Sequence, residues 1–514
     1  MSELNQTTAL APAANDEWYA RVSTRNPGAG GLRQATKLAA TVVVALLALN
    51  LYAPAPPTLW QRIFASAIIA SVALPVWLWM SGADRSIPFM PFAALIFAYY
   101  FALPVFLLKR YATGLFSPTI PGPYITIALG YSLLGLYCTF AGYYGPARWI
   151  FAPILPRFNL RWRDERAVKL VALVLGVGGL FVSTPRAVSA LPESLAQVGA
   201  FAADLSMVGI CTLVALQLVG RVDRFTAIFI WGFLIPVRIA IGLGTGSAAS
   251  GLIVGAAVAF MFASVRRAIP WKMLALGTVA LFIVRPAEAP FRAATWAGGR
   301  LAQASTVQKI RLFSDILYRI TIGGAVPPQA LIEFASLRLG QFTVFGEVLE
   351  DTPSMIPFWE GESYYPILFK PIPRFIMPGK PEEMSGQTFG HRYGLISKWN
   401  HTTSINLPQI VELYANFGLA AVIVGMFIFG LIYRLLLEIY VHPGMGLGGL
   451  VGAVYISSRM FDVGSAASLV LGAIPWSIVF IALVHLLMEV AEADGIALDE
   501  ALASRTIPLL PGSN

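Results

Sequence analysis

Charge is scarce in this chain: 12% of its 514 residues are Asp, Glu, Lys or Arg, against 57% hydrophobic. A soluble globule carries about a quarter charged residues, so a soluble core inside a water-facing shell is excluded, and a polytopic membrane protein fits. Cysteine is scarcer still. Cys138 and Cys211 both fall inside apolar runs with no partner pattern, which excludes a disulfide framework or thiolate metal site and leaves them as small core residues. The phosphate loop G-x-x-x-x-G-K-[ST], the zinc pair H-E-x-x-H and the D-x-D pair that holds a metal on a nucleotide-sugar are all missing, so neither metal nor cofactor is expected. The glycine-rich run Gly242 to Gly251 has no strand before it and reads as close helix approach or a tight turn.

What the chain has in abundance is apolar runs of bilayer length. Spans are expected near 38–53, 62–80, 89–108, 122–141, 168–183, 198–219, 225–242, 249–264, 270–284, 410–437, 447–461 and 468–488, twelve in all. The first follows a polar stretch without a small-residue cleavage site and reads as a retained signal anchor. An excess of 36 Lys+Arg over 27 Asp+Glu is explained by positive-inside topology rather than by nucleic acid, which is not expected as a partner. With the N-terminus inside, the inner segments up to the ninth span carry sixteen Lys/Arg and the outer loops only five, Arg62, Lys109, Arg110, Arg186 and Arg238. Five regions follow: a cytoplasmic segment 1–37, nine spans over 38–284, an extracytoplasmic loop 285–409, the last spans over 410–488, and a cytoplasmic tail 489–514.

Within the loop, Arg285 and Arg292 are separated by a proline-rich bend. Val307, Ile310, Phe313, Leu317 and Ile320 recur at helical spacing, predicting a helix on the membrane surface, with a second from Pro328 to Glu350. The last part of the loop, Pro371 to Gly418, gathers Arg374, Lys380, His391, His401, Glu412 and Asn416. Asn406 as cap, Pro408 in the first turn and Gln409 three residues after the cap mark a helix start. The 28 residues from Ile410 to Leu437 span about 42 Å, more than a ~30 Å hydrocarbon core, so the first two turns are expected to project or tilt, with Glu412 and Asn416 on one face.

Each polar group has two readings. Glu412 is a carboxylate favoured by a helix start, or a general base in a partly desolvated interface. Arg292, Arg374 and Lys380 meet lipid phosphates, or capture a lipid-linked diphosphate, for which guanidinium is suited. His391 and His401 are inert loop histidines, or orient a substrate. Asp204 faces the bundle, paired with an arginine or touching substrate. His485, Arg459 and Asp462 read as packing or topology elements, and Trp359, Tyr364 and Tyr365 as interfacial aromatics that could also stack on sugars.

The order IPRFIMPGKP, FGHRYG and HTTSINLPQIVELYANFG entering a late span resembles the Wzy-type O-antigen and exopolysaccharide repeat unit polymerases. PAEAPFRAATW resembles that family's segment around an arginine, here Arg292, without the lysine expected before it. The resemblance covers roughly 285–430. It implies an all-α GT-C-like fold and an inverting, metal-independent glycosyltransferase in the bacterial inner membrane. The substrates would be oligosaccharides on undecaprenyl diphosphate, and a chain-length regulator and other polysaccharide assembly proteins would be partners. Arg292 and Arg374 are then expected at the leaving group, with Glu412 or His391 as base and Asn416 and Tyr414 positioning it. Lys380, Arg285, Arg186, Arg238 and His401 complete the substrate contacts. The rivals are a ligase moving finished glycan to another acceptor, a lipid flippase or secondary transporter, and a non-catalytic scaffold.

Overall fold

Each of the twelve apolar runs falls on a helix, the form in which a segment satisfies its own backbone where water is absent. The computed structural model describes residues 29–504 except 56, 85, 115–116, 147–149, 159, 161, 163, 184–195, 297–298, 373–375, 382–385, 401–402 and 443–444, and no strand occurs among the described residues. In chain order the helices are α1 (Ala29–Tyr52), α2 (Leu59–Ser71), α3 (Ala73–Met80), α4 (Phe89–Phe101), α5 (Gly122–Tyr144), α6 (Glu165–Val182) and α7 (Ala196–Leu218). Then follow α8 (Arg224–Leu243, with a π turn at Ile230–Leu234), α9 (Ala248–Arg266), α10 (Trp271–Thr295), α11 (Thr306–Thr321) and α12 (Pro328–Leu339). The last are α13 (Gln341–Asp351), α14 (Gly386–Arg392), α15 (Gln409–Tyr440), α16 (Leu447–Met460) and α17 (Ala467–Ser504).

Among the described residues, eight helical segments are long and apolar enough to cross a membrane: Leu59–Met80, Phe89–Phe106, α5, α8, α9, α10, α15 and α17 as far as Glu489. The others among the twelve are shorter or more charged. With 14 residues, α16 covers about 21 Å, short of a ~30 Å core. It ends inside the bundle, where Phe461 packs against Phe89, Phe92 and Phe260 at ring separations of 5.2, 6.1 and 5.2 Å. The loop to α17 starts from that aromatic anchor.

Helices α5 and α15 cross at backbone contact. A Cβ at Gly142 would meet Phe427 O at 2.0 Å, and one at Gly430 would meet Thr139 O at 2.1 Å, so only glycine fits on both sides. At one end of this pair Arg434 Nη1 lies 3.1 Å from Asp84 Oδ1 and Nη2 lies 2.5 Å from Glu438 Oε1, with the guanidinium over the Tyr143 ring. Asp84 and Arg434 are both buried, and a lone charge there would be costly, so each requires the other.

Four expectations are corrected. The bend after residue 284 is absent: α10 continues to Thr295 with Pro286 and Pro290 inside it, so Arg285, Glu288 and Arg292 stand on one helical face. The packing of Phe291, Ala287 and Val284 on α11 holds the helix across the hydrogen bonds that proline removes. The apolar stripe of α11 is divided rather than uniform: Phe313, Leu317 and Ile320 pack in the cluster of Phe291 and Ile310 lies against Gly244, while Val307, with Tyr318 and Ile322, stays exposed. The expected helix 328–350 is two helices divided at Gly340, the second largely buried.

The fourth correction concerns α15. Its helix starts at Gln409 with Pro408 at the cap, and Asn406 lies against Gly464 instead of capping. It is not a straight span. Phe417 and Gly418 leave helical conformation, and Tyr433 OH donates to Gln409 Oε1 at 2.9 Å although a straight helix would separate the two residues by about 36 Å. Leu413 packs on Gly425, and Ile410 and Met426 both meet Gly135. The chain therefore folds back: a short arm 409–416 lies along a long arm 419–440, whose length of about 33 Å matches a hydrocarbon core.

Candidate functional site

The fold-back is held by its own loop. Gly418 has φ +71° and ψ −157°, a region essentially reserved for glycine. The carbonyls freed at the break, Ala415 O and Asn416 O, accept from Trp359 N at 3.0 Å and Glu360 N at 3.2 Å. Asn416 completes the joint: its Oδ1 accepts from Gly361 N at 2.9 Å, and its Nδ2 donates to Ser363 Oγ and to Glu412 O, each at 2.8 Å. The expected pairing of Glu412 and Asn416 on one face is thus present.

Glu412 is fully buried, and its Oε2 accepts from Ala467 N at 2.5 Å. Ala467 opens α17, so the carboxylate sits on the positive end of a helix dipole. Ser363 and Tyr364 are the polar side chains beside the Glu412 carboxylate, and the buried Ser468 hydroxyl follows Ala467 in the chain. Burial, then the Glu412 charge, push the Tyr364 hydroxyl well above its ordinary value, against a bond with Asn416. Such a cluster can receive a hydroxyl and its proton.

A second carboxylate repeats the arrangement. Glu288 on α10 is buried, and its Oε1 accepts from Ala248 N, the first residue of α9, at 2.5 Å. Arg285 Nη1 lies 3.2 Å from Glu288 Oε2 and Arg292 Nη2 lies 3.7 Å from Oε1. Arg292 is further held by Nε donating to Gly246 O at 2.6 Å and by the Trp296 ring, 4.7 Å away. The glycine-rich run is therefore a tight turn against Arg292. Arg338, exposed on the last turn of α12, is close enough to act on Arg292 electrostatically. Arg285 and Arg292 thus share Glu288, with Arg338 acting on Arg292 from α12 and Asp462 on Arg285; three guanidiniums against two carboxylates leave a positive charge that suits a phosphate.

The loop Phe461–Ala466 joins the two groups. Gln409 Nε2 donates to Asp462 O at 3.2 Å, one turn before Glu412, and Arg285 acts electrostatically on Asp462 and Tyr100. Asp462 is exposed to solvent at this loop. The low-dielectric surroundings push its carboxyl up, against bonds from Ser465 Oγ and Gly464 N and the Arg285 charge.

Other expected residues stand elsewhere. Tyr414 points to the opposite side of its helix from Glu412, donating to Thr352 O at 3.4 Å and packing on Tyr131, Phe345 and Phe358. His391 Nε2 lies 3.0 Å from Asn400 O, within its own loop. Lys380 Nζ donates to Lys370 O at 3.3 Å and Ile372 O at 3.0 Å. Arg238 Nε donates to Ser206 Oγ at 3.0 Å, and Asp204 is ion-paired with Arg459 and accepts from Tyr455 OH. Arg186, Arg374 and His401 lie outside the described residues.

Residues 164–493, from α6 to α17 and including both carboxylate groups, match a family described as a domain of unknown function (DUF8712). The chain belongs to this family. No curated protein and no solved structure matches it. Within the DUF8712 segment, sequence reasoning missed Glu288, Ser363 and Arg338. Glu288 was signalled by its spacing of three and four from Arg285 and Arg292; Arg338 carried no local signal.

Helix α13 adds a pH-sensitive element beside α5. Burial, then the neighbouring Asp351 and Glu350, push the Glu347 carboxyl up to about 7. A carboxyl whose folded value exceeds its unfolded one binds more protons when folded, so its stabilisation is lost as pH rises. Thermal stability is expected to fall from about pH 5 to about pH 8, and Glu347→Gln to flatten that slope. Melting curves across the range, with an unchanged slope in the variant, would remove Glu347 as the cause.

Proposed function

We propose that this protein is a metal-independent, inverting glycosyltransferase that polymerises oligosaccharide repeat units carried on undecaprenyl diphosphate. The reading includes a GT-C-like bundle of about twelve spans in a bacterial inner membrane, both termini cytoplasmic and the 285–409 loop on the opposite face. The observation that carries it is a buried carboxylate, Glu412, on the first amide of α17, together with the Arg285–Glu288–Arg292 group, the two being linked through the Phe461–Ala466 loop by Gln409 and Arg285.

The chemistry needs those two ends. The acceptor hydroxyl gives its proton to Glu412 as its oxygen bonds the anomeric carbon of the growing chain's first sugar. The bond from that carbon to the diphosphate breaks, and the electron pair leaves on the diphosphate. Arg292 and Arg338 neutralise the charge that develops there, with Glu288, Gly246 O and Trp296 holding Arg292 in place. The hydrogen bond that ties His391 to Asn400 favours Glu412 as the base.

The test is deletion of the gene followed by analysis of surface glycan and lipid-linked intermediates. Loss of polymer, with single repeat units still reaching the final acceptor, is the expected result. Lipid-linked polymer that never reaches an acceptor would identify a ligase. Repeat units trapped on the cytoplasmic side would identify a flippase, and unchanged glycan would end the proposal.

A further inference from the structure

The turn that supplies Gly361 and Ser363 to Asn416 runs on into Tyr365–Phe369, and this loop carries large apolar side chains in the open. Tyr365 is 56%, Leu368 73% and Ile376 64% exposed. On a water-washed loop such a group would be costly; its backbone, however, lies along a candidate membrane span. Trp476 Nε1 on α17 donates to Lys370 O at 3.1 Å, and the Lys370 side chain comes within 2.6 Å of where a Cβ on Gly472 would stand. Gly472 and Trp476 lie about 8 and 14 Å along α17 from its start at Ala467. The same helix exposes Leu469, Val479, Leu483, Leu486 and Leu487, so the loop's apolar side chains continue a band that already faces outward.

The loop's polar atoms fit the same surroundings. Inside hydrocarbon an irregular backbone must find its partners in protein. Buried Lys380 turns its ammonium inward onto Lys370 O and Ile372 O, and Lys370 O also takes the Trp476 indole.

We propose that Tyr365, Leu368 and Ile376 are seated in the bilayer, against lipid hydrocarbon, as a re-entrant anchor beside α17. The anchor holds the 358–364 turn, and through it Asn416 and Glu412, at a fixed depth. It rests on the membrane reading of α17 and is independent of the catalytic proposal.

The experiment places a nitroxide on single cysteines, Leu368→Cys and Ile376→Cys, in full-length protein with Cys138→Ala and Cys211→Ala, reconstituted in phosphatidylcholine vesicles. Leu483→Cys on α17 serves as the lipid-facing reference. Oxygen is expected to collide with both loop labels several-fold more often than a water-soluble nickel chelate does, in the same sense as at the reference. Preferential access for the nickel chelate at both positions would overturn the proposal and make this a water-facing loop. Shielding from both reagents would overturn it too, in favour of a protein partner or a second copy of this chain. Two labelling positions guard against a variant that does not fold.

Discussion

Glu412→Gln is expected to yield a folded protein that makes no polymer. Glutamine keeps an oxygen to accept from Ala467 N, so the contact between the short arm of α15 and the start of α17 survives, while the group that would take a proton is gone. Loss of a general base costs about 10²–10⁴-fold in rate, enough to erase polymer from a gel. Arg292→Ala removes the guanidinium held by Gly246 O and Trp296 and is expected to cost about 10²–10³-fold. Arg292→Lys is not expected to restore it, because an ammonium cannot keep the bond to Gly246 O, the stacking on Trp296 and a phosphate contact together. The measurement is complementation of the deletion strain, with expression and melting temperature followed in parallel. Wild-type polymer from Glu412→Gln would falsify the assignment of the base, and wild-type polymer from both the Glu412 and Arg292 variants would remove the site.

Gly418→Ala is expected to destabilise the protein and abolish activity although the residue touches no substrate. A side chain at φ +71° and ψ −157° costs about 1–3 kcal/mol in backbone strain alone. The added Cβ would also stand 3.3 Å from the Phe358 ring, on the loop that closes the joint. Asparagine, which tolerates ordinary left-handed turns, is not expected to rescue, since ψ here lies outside that region. The contrast is Gly277→Ala in α10, where nothing lies within 4 Å of the new methyl and helix propensity favours alanine. Melting of the purified variants in detergent is the check: equal midpoints for Gly418→Ala and Gly277→Ala would mean that the joint bears no strain.

Much of this was legible in the amino acids. Every long apolar run became a helix because its length and lack of charge leave no other way to satisfy a backbone away from water. The i, i+4 pair Glu412 and Asn416 was readable for the same reason of period. The fold-back was not, because residues 410–437 are mostly apolar with no proline among them, and a single glycine after Phe417 looks like one tolerated inside a helix. The partners that stop the helix there are backbone amides 55 or so residues earlier, at Trp359, Glu360 and Gly361, which no local pattern announces. The same holds for the two carboxylates. Glu288 and Glu412 find their partners in the first amides of α9 and α17, and a backbone N–H has no letter in the sequence. Proline misled in the other direction: Pro286 and Pro290 read as a bend, yet neighbouring helices kept α10 intact.

The joint at Gly418 also fixes an order of assembly. The long arm of α15 can enter a membrane as an ordinary hydrophobic segment, but the short arm ends on carbonyls that only the 359–361 turn satisfies. That turn must already have been delivered to the same side of the membrane as Gly418 before the hairpin can close. A chain in which that loop is misplaced keeps the docking of Glu412 on α17 but leaves Ala415 O, Asn416 O and the Asn416 side chain without their partners at the hairpin's tip.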